Sequence, residues 1–153
     1  MSRVLVPHVA SSAGLVRRRM SAELLARGLP ADVVDDAALV VSELIGNAIR
    51  HGSSLPGGGV LADWALTDGV LRLEVSDGGD GVPAVLPARA DVPGGGAIDD
   101  VESGRGLTVV GMLSSAWGTG IGRRGRATTW AELTETSRQK VGEESLEEAR
   151  QEA

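Results

Sequence analysis

Asp77-Gly78-Gly79-Asp80-Gly81 closes the apolar run Val70-Leu71-Arg72-Leu73-Glu74-Val75. A strand that ends in a carboxylate followed by glycines at alternate positions suits close backbone approach to another group. Glycine takes positive φ without steric cost and has no Cβ to hold a ligand away. Asp-Gly and Gly-Gly are also ordinary turn chemistry, so on spacing alone a plain turn explains the stretch as well. The flanking sequence has to decide.

The chain around it has 153 residues, the size of one domain with one core. Hydrophobic residues make up 42%, with three Trp and no Phe or Tyr, so the core is aliphatic. A net charge of −6 argues against a general nucleic-acid binder, which needs a basic stripe for phosphates. With no cysteine there is neither disulfide nor thiolate metal site, and a reducing compartment is expected. No apolar run approaches the roughly 20 residues that span a bilayer. Met1 to Pro7 lacks the charged start and apolar stretch of a signal peptide. A cytoplasmic protein is expected.

Upstream, Val4-Leu5-Val6 reads as a short strand closed by Pro7. Ser11 or Ser12 caps a helix through Arg27, with Val16, Met20 and Leu24 as its apolar stripe. Arg17-Arg18-Arg19 on it reads either as a solvated face or as a patch for a partner. Gly28-Leu29-Pro30 breaks this helix, and Asp32 is the expected N-cap of the next. That second helix, Val33 to His51, puts Val33, Ala37, Val41, Leu44, Ile45 and Ala48 on one face. Glu43 and Asn47 lie four apart, so they project from one side, a turn apart. They are either an exposed polar pair beside the core stripe or a water-orienting carboxylate beside an amide oxygen suited to Mg²⁺.

After a Ser/Pro/Gly loop, Val60–Leu66 and Val70–Ser76 form a hairpin turning at Asp68-Gly69. Downstream of Asp77, residues 82–103 carry little pattern and much Pro, Gly, Ala and Asp, as in a lid or a disordered segment. They lead to Gly104-Arg105-Gly106-Leu107 at the start of an apolar helical run. Such a turn offers either a hinge or free N–H groups for phosphate. Ser115–Ile121 and Arg126–Leu133 read as two more strands, and the polar, acidic residues 134–153 as a frayed helix or flexible tail.

Each motif is weak alone, but their order is specific. The series Glu43, Asn47, then Asp77-Gly78-Gly79-Asp80-Gly81, then Gly104-Arg105-Gly106-Leu107, then Thr128 resembles the Bergerat ATP-binding fold of histidine kinases, DNA gyrase and MutL-type ATPases. Leu39-Val40-Val41-Ser42-Glu43-Leu44-Ile45-Gly46-Asn47-Ala48-Ile49-Arg50-His51-Gly52 is especially similar to the first motif of the stand-alone anti-sigma-factor serine/threonine kinases. The likeness covers roughly Val4 to Leu133, giving a domain over 1–133 and a tail over 134–153.

The resemblance implies an α/β sandwich of the α+β class: a mixed, mostly antiparallel sheet with helices on one face. It implies ATP and Mg²⁺ as cofactors. Asn47 would ligate Mg²⁺ bridging the phosphates, and Glu43 would be the general base or water-orienting group. Asp77 would accept from the adenine amino group, with Gly79 and Gly81 letting the base and sugar lie close. Gly104 and Gly106 would cradle the phosphates, with Leu107 in the same turn; Arg105 would be a phosphate neighbour, and Arg50 either another or a solvated arginine. Thr128 would support the adenine through a water. The lid differs from the pattern in having Arg89 as its only cation before Arg105, and the last region lacks a glycine next to its threonines.

His8 and His51 are the only histidines, and neither sits on a dimerisation helix as a phosphoacceptor. A lone ATP-binding domain is expected to act on a separate protein. The resemblance implies phosphorylation of a Ser or Thr on a small antagonist, sequestration of a sigma factor, and room for a homodimer, without nucleic-acid or membrane binding. The alternative is a non-catalytic module that uses nucleotide only to switch its affinity for a regulator.

Overall fold

The computed structural model describes residues 1–79, 108–122 and 125–134. In chain order the elements are β1 (Ser2–Val6), α1 (Ser12–Ala26), α2 (Ala31–His51), β2 (Val60–Thr67) and β3 (Val70–Asp77). Residues 108–113 are helical, and β4 (Ala116–Ile121) and β5 (Ala127–Leu133) follow.

The strands form one sheet in the order β1-β2-β3-β5-β4. Expected as mixed and mostly antiparallel, it is antiparallel at every described pairing. The β2–β3 turn has Asp68 at φ 52° and Gly69 at φ 77°. Two successive positive φ values define the tight hairpin turn whose twist matches the strands, and Asp-Gly is favoured there.

Side chains alternate across a strand, so one face of the sheet is apolar. Val4, Val6, Val60, Ala62, Trp64, Leu71, Leu73, Val75, Ala131 and Leu133 are buried on it. The two helices cover this face. α1 contributes Val16, Met20 and Leu24, each fully buried as the stripe predicts. α2 buries Val33, Ala37, Val41, Leu44, Ile45 and Ala48, and also Val34 and Val40, which widen the stripe. No described helix is long and apolar enough to cross a membrane.

The helix starts differ from expectation. Pro30, not Asp32, occupies the N-cap position of α2, because its fixed φ of −56° leads into the first turn and its carbonyl accepts the Val34 N–H. Asp32 lies inside that turn, where its Oδ1 accepts from the Val33 N–H at 2.9 Å. An acidic side chain there still meets the positive end of the helix dipole. Ser11 caps α1 by position but makes no side-chain cap bond, and the Ser12 hydroxyl instead donates to the Pro7 carbonyl at 2.6 Å.

One polar contact ties α1 to the sheet. The Glu23 carboxylate accepts from the buried Trp64 indole N–H at 2.9 Å and from the Ser2 hydroxyl. Trp64 is 1% exposed, so its N–H has no access to water. Glu23→Ala should therefore lower unfolding free energy by about 1–3 kcal/mol, the cost of stranding a buried donor. Urea denaturation followed by Trp fluorescence reads this directly, and Glu23→Gln, which keeps one acceptor, should lose less.

Candidate functional site

The apolar stripe of α2 sets the rotation of the helix, and that rotation places Glu43 and Asn47. Val40, Val41, Leu44, Ile45 and Ala48 face the sheet, so Glu43 and Asn47 fall on the border of the buried face. Both are half-buried. Among the described residues, no hydrogen bond or ion pair holds either side chain. Arg50 lies on the outer side of the helix, where a Cβ on Gly46 would come 3.0 Å from its Nη1.

α2 ends where β3 ends. Gly52 caps the helix through its N–H to the Ala48 carbonyl at 3.0 Å. A Cβ at Gly52 would lie 2.4 Å from Asp77 Oδ2 and 2.6 Å from the Ala48 oxygen. Only glycine fits between them. The same holds one residue along β3: the Gly78 N–H donates to the Ser53 carbonyl at 2.8 Å, and a Cβ there would meet the Ser54 carbonyl oxygen at 2.0 Å. The loop after α2 thus sits directly on the strand end, anchored by buried Leu55.

This geometry orients the Asp77 carboxylate. Its Oδ1 accepts from the Gly79 N–H at 2.7 Å, a local turn that fixes the side chain, while Oδ2 faces Gly52. Gly79 folds towards Ala127, whose Cβ would be 3.6 Å from a Cβ at 79. Among the described residues Asp77 has no ion-pair partner.

The register decides the threonine. Leu71, Leu73 and Val75 point to the helices, and Asp77 continues that side. Their partners on β5 are Leu133, Ala131, Thr129 and Ala127. Thr129 therefore shares the face of Asp77, whereas Thr128 pairs with Ser76 on the opposite face, the two hydroxyls 3.0 Å apart. The structure separates Thr128 from the other candidates and brings Thr129 to them. Gly81, Gly104, Arg105, Gly106 and Leu107 lie outside the described residues, as do the lid over 82–103 and the tail beyond residue 134.

Thr129, Gly52 and the loop 53–55 are the features that motif reading passed over. Counting in twos back from Leu133 along β5 finds Thr129 on the core side. Gly52 was visible only as the last residue of the first motif.

The outer face of the sheet is different in kind. The Arg72 guanidinium lies over the Trp130 ring at 4.4 Å and bonds Glu74 and Glu132, both at 2.8 Å. Burial lowers its pKa, but these carboxylates outweigh that and raise it. Arg3 bonds the buried Asp63 at 2.6 Å, which holds its pKa up as well. Arg72, Glu74, Glu132, Arg3 and Asp63 are thus paired with one another.

Among the described residues no cluster of three or more His, Cys, Asp or Glu side chains could hold a metal. What the helix-side site offers is one oriented carboxylate, one free amide and one free carboxylate. They lie in sequence along a helix and at its end, beside backbone close enough to exclude side chains.

The chain gives no significant match among curated proteins. Among solved structures it resembles the RsbU and RsbW domains of Rv1364c from Mycobacterium tuberculosis, with a TM-score of 0.61 and 21% identity over 87% of this chain. It also resembles the histidine kinase domain of the blue-light activated histidine kinase EL346 from Erythrobacter litoralis, with a TM-score of 0.50 and 20% identity over 89% of this chain. The chain spans 32% of the first of those chains and 64% of the second. At these identities the likeness is one of fold. The model of the histidine kinase-like ATPase domain matches residues 6–131, and the chain belongs to that family.

Proposed function

We propose that this protein binds ATP with Mg²⁺ and transfers the γ-phosphate to a Ser or Thr of a partner protein, in the manner of an anti-sigma-factor kinase. The observation that carries the nucleotide reading is Asp77. Its Oδ2 and the Ala48 carbonyl are two acceptors converging on Gly52 at the negative end of α2, with no cation of the described residues between them. A carboxylate so placed calls for an N–H donor from outside the protein, and the amino group of adenine is such a donor. A base that presents an acceptor there would leave two acceptors facing each other, which is how one carboxylate selects a base.

Distances along the helix support the rest. At about 1.5 Å rise per residue, Asn47 is roughly 7 Å and Glu43 roughly 13 Å back from Gly52 along the axis of α2. With the base at Asp77, the phosphates run back along the helix past Asn47 towards Glu43. The donor set fits magnesium, which takes few protein ligands and is held largely by phosphates and water: Asn47 supplies an amide oxygen free of protein partners. When bound, the ion supplies charge neutralisation on the phosphates. Glu43, also free of partners, accepts the proton of the attacking hydroxyl. The new P–O bond forms to that hydroxyl oxygen, the bond from the γ-phosphorus to the bridging oxygen breaks, and ADP leaves. Thr129 stands on the face of Asp77, on the adenine side, in the role that the resemblance assigned to Thr128. Gly79 and Gly81 leave room for the sugar, and residues 104–107 supply N–H groups for the phosphates.

The partner side rests on two supports: the first motif's likeness to anti-sigma-factor kinases, and a fold shared with a chain that carries an RsbW domain. The substrate would be an antagonist protein and the regulated factor a sigma factor, with the kinase working in the cytoplasm as monomer or homodimer. The free carboxylate of Glu43 favours an enzyme over a module that only switches affinity, since binding alone has no use for it.

Three measurements test this. Saturating Mg-ADP, at about a hundred times Kd, should stabilise the wild type by about 2.7 kcal/mol in thermal melts. Asp77→Asn should abolish that shift, and a shift of wild-type size would place the base elsewhere. Glu43→Ala should keep the shift but stop transfer of labelled phosphate to a partner captured from the native cell, whereas surviving transfer would mean that Glu43 is not the base, and no transfer by the wild type would leave only the switching module. Thr129→Val should weaken ADP binding several-fold while Thr128→Val leaves it at the wild-type value. The reverse pattern would mean that β5 is shifted by one residue.

A further inference from the structure

His8 lies outside every motif, yet it reaches the site. Pro7 closes β1, and its carbonyl accepts from both the Val9 N–H at 2.9 Å and the Ser12 hydroxyl at 2.6 Å. This double anchor fixes the short turn into α1, and the turn aims the half-buried His8 ring at the last turn of α2. There His8 Nε2 is 3.1 Å from the Ala48 carbonyl oxygen. A carbonyl can only accept, so Nε2 carries the hydrogen and donates it.

The acceptor is not an ordinary helix carbonyl. Ala48 O already takes the Gly52 N–H, and it is the oxygen that converges with Asp77 Oδ2 on the Cβ-free edge of Gly52. Asp77 therefore sits against the negative end of α2, an arrangement that by itself disfavours a carboxylate. A second N–H on Ala48 O draws down the negative potential at that oxygen. It also pins the turn that carries Gly52, and with it the surface against which Asp77 is set.

We infer that His8 is a positioning residue for the nucleotide site: its Nε2–H donates to the Ala48 carbonyl, and through Ala48 and Gly52 it holds the Asp77 carboxylate in place for the base. This rests on the reading of Asp77 as the base acceptor. His8 touches neither base nor phosphate. Its effect should appear in nucleotide affinity and in protection of the α2 end, with little effect on the rate of phosphate transfer at saturating ATP.

The test uses the full chain, with ADP in excess Mg²⁺ as the probe, titrated calorimetrically against wild type, His8→Ala and His8→Gln. His8→Ala should raise the Kd for ADP by about three- to tenfold, the worth of one neutral hydrogen bond. Hydrogen exchange at the Gly52 amide should accelerate in step. His8→Gln, which retains an N–H donor, should recover at least part of both. Arg3→Ala, on the outer face of the sheet, is the control for general destabilisation and should leave the ADP Kd at the wild-type value.

If His8→Ala lowers the melting temperature of the nucleotide-free protein but leaves the ADP Kd unchanged, His8 is merely structural and the inference is overturned. A loss of affinity in Arg3→Ala equal to that in His8→Ala overturns it too. Wild-type protein that binds no ADP overturns the nucleotide reading first and this inference with it, so the two failures are told apart by the wild-type titration.

Discussion

The structure turns on one close approach: the end of α2 meets the end of β3 with nothing but glycine between them. At Gly52 a side chain would strike both a carboxylate oxygen and a carbonyl oxygen, and at Gly78 it would strike the Ser54 carbonyl. Two glycines let two backbones pack at distances that side chains forbid. The helix is held by eight buried apolar side chains along its length, so it has no freedom to relieve the contact by rotating. Everything about the candidate site follows from this. The stripe fixes the rotation, the rotation puts Glu43 and Asn47 at the border of the buried face, and the glycines bring Asp77 to the end of the same helix.

Much of this arrangement was legible in the sequence because it rests on periodicity. Val16, Met20 and Leu24 are written at helical spacing and are fully buried, and the α2 stripe is as clear. Asp68-Gly69 announced its hairpin because few residues tolerate positive φ. The sequence is least legible where a single residue of offset matters. On a strand, adjacent side chains point to opposite faces, so Thr128 and Thr129 are interchangeable to a motif and opposite in space. Likewise Asp32 has the right chemistry for a cap, but Pro30 presets the backbone two residues earlier. The approach of Gly52 to Asp77 was not legible at all. It joins positions 25 residues apart, and only the packing of α2 on the sheet creates it.

The two faces of the sheet treat charge in opposite ways, and the contrast supports the proposed place of binding on the helix side. On the outer face Arg72 has two carboxylates and the Trp130 ring, which lies flat over Gly118, and Arg3 has Asp63. Exposed pairs of this sort add little stability, but Arg72, Glu74, Glu132, Arg3 and Asp63 each have a partner. On the helix side the order is reversed. Glu43 and Asn47 have no partner among the described residues, and Asp77 has backbone N–H on one oxygen and only a neighbouring acceptor towards the other.

That difference has an energetic meaning. A polar group left without its partner costs stability in the free protein, and the cost is recovered when a ligand supplies the missing hydrogen bond. Interactions satisfied within the chain contribute to folding, while those held open contribute to affinity. In this fold the division runs along the sheet itself: the outer face pairs its charges within the chain, and the helix side leaves a carboxylate and an amide without a partner among the described residues. His8 fits the same logic from the protein's side. Its N–H quiets the carbonyl that shares the edge of Gly52 with Asp77, so the chain can hold Asp77 against the negative end of a helix and still leave an oxygen for a donor from outside.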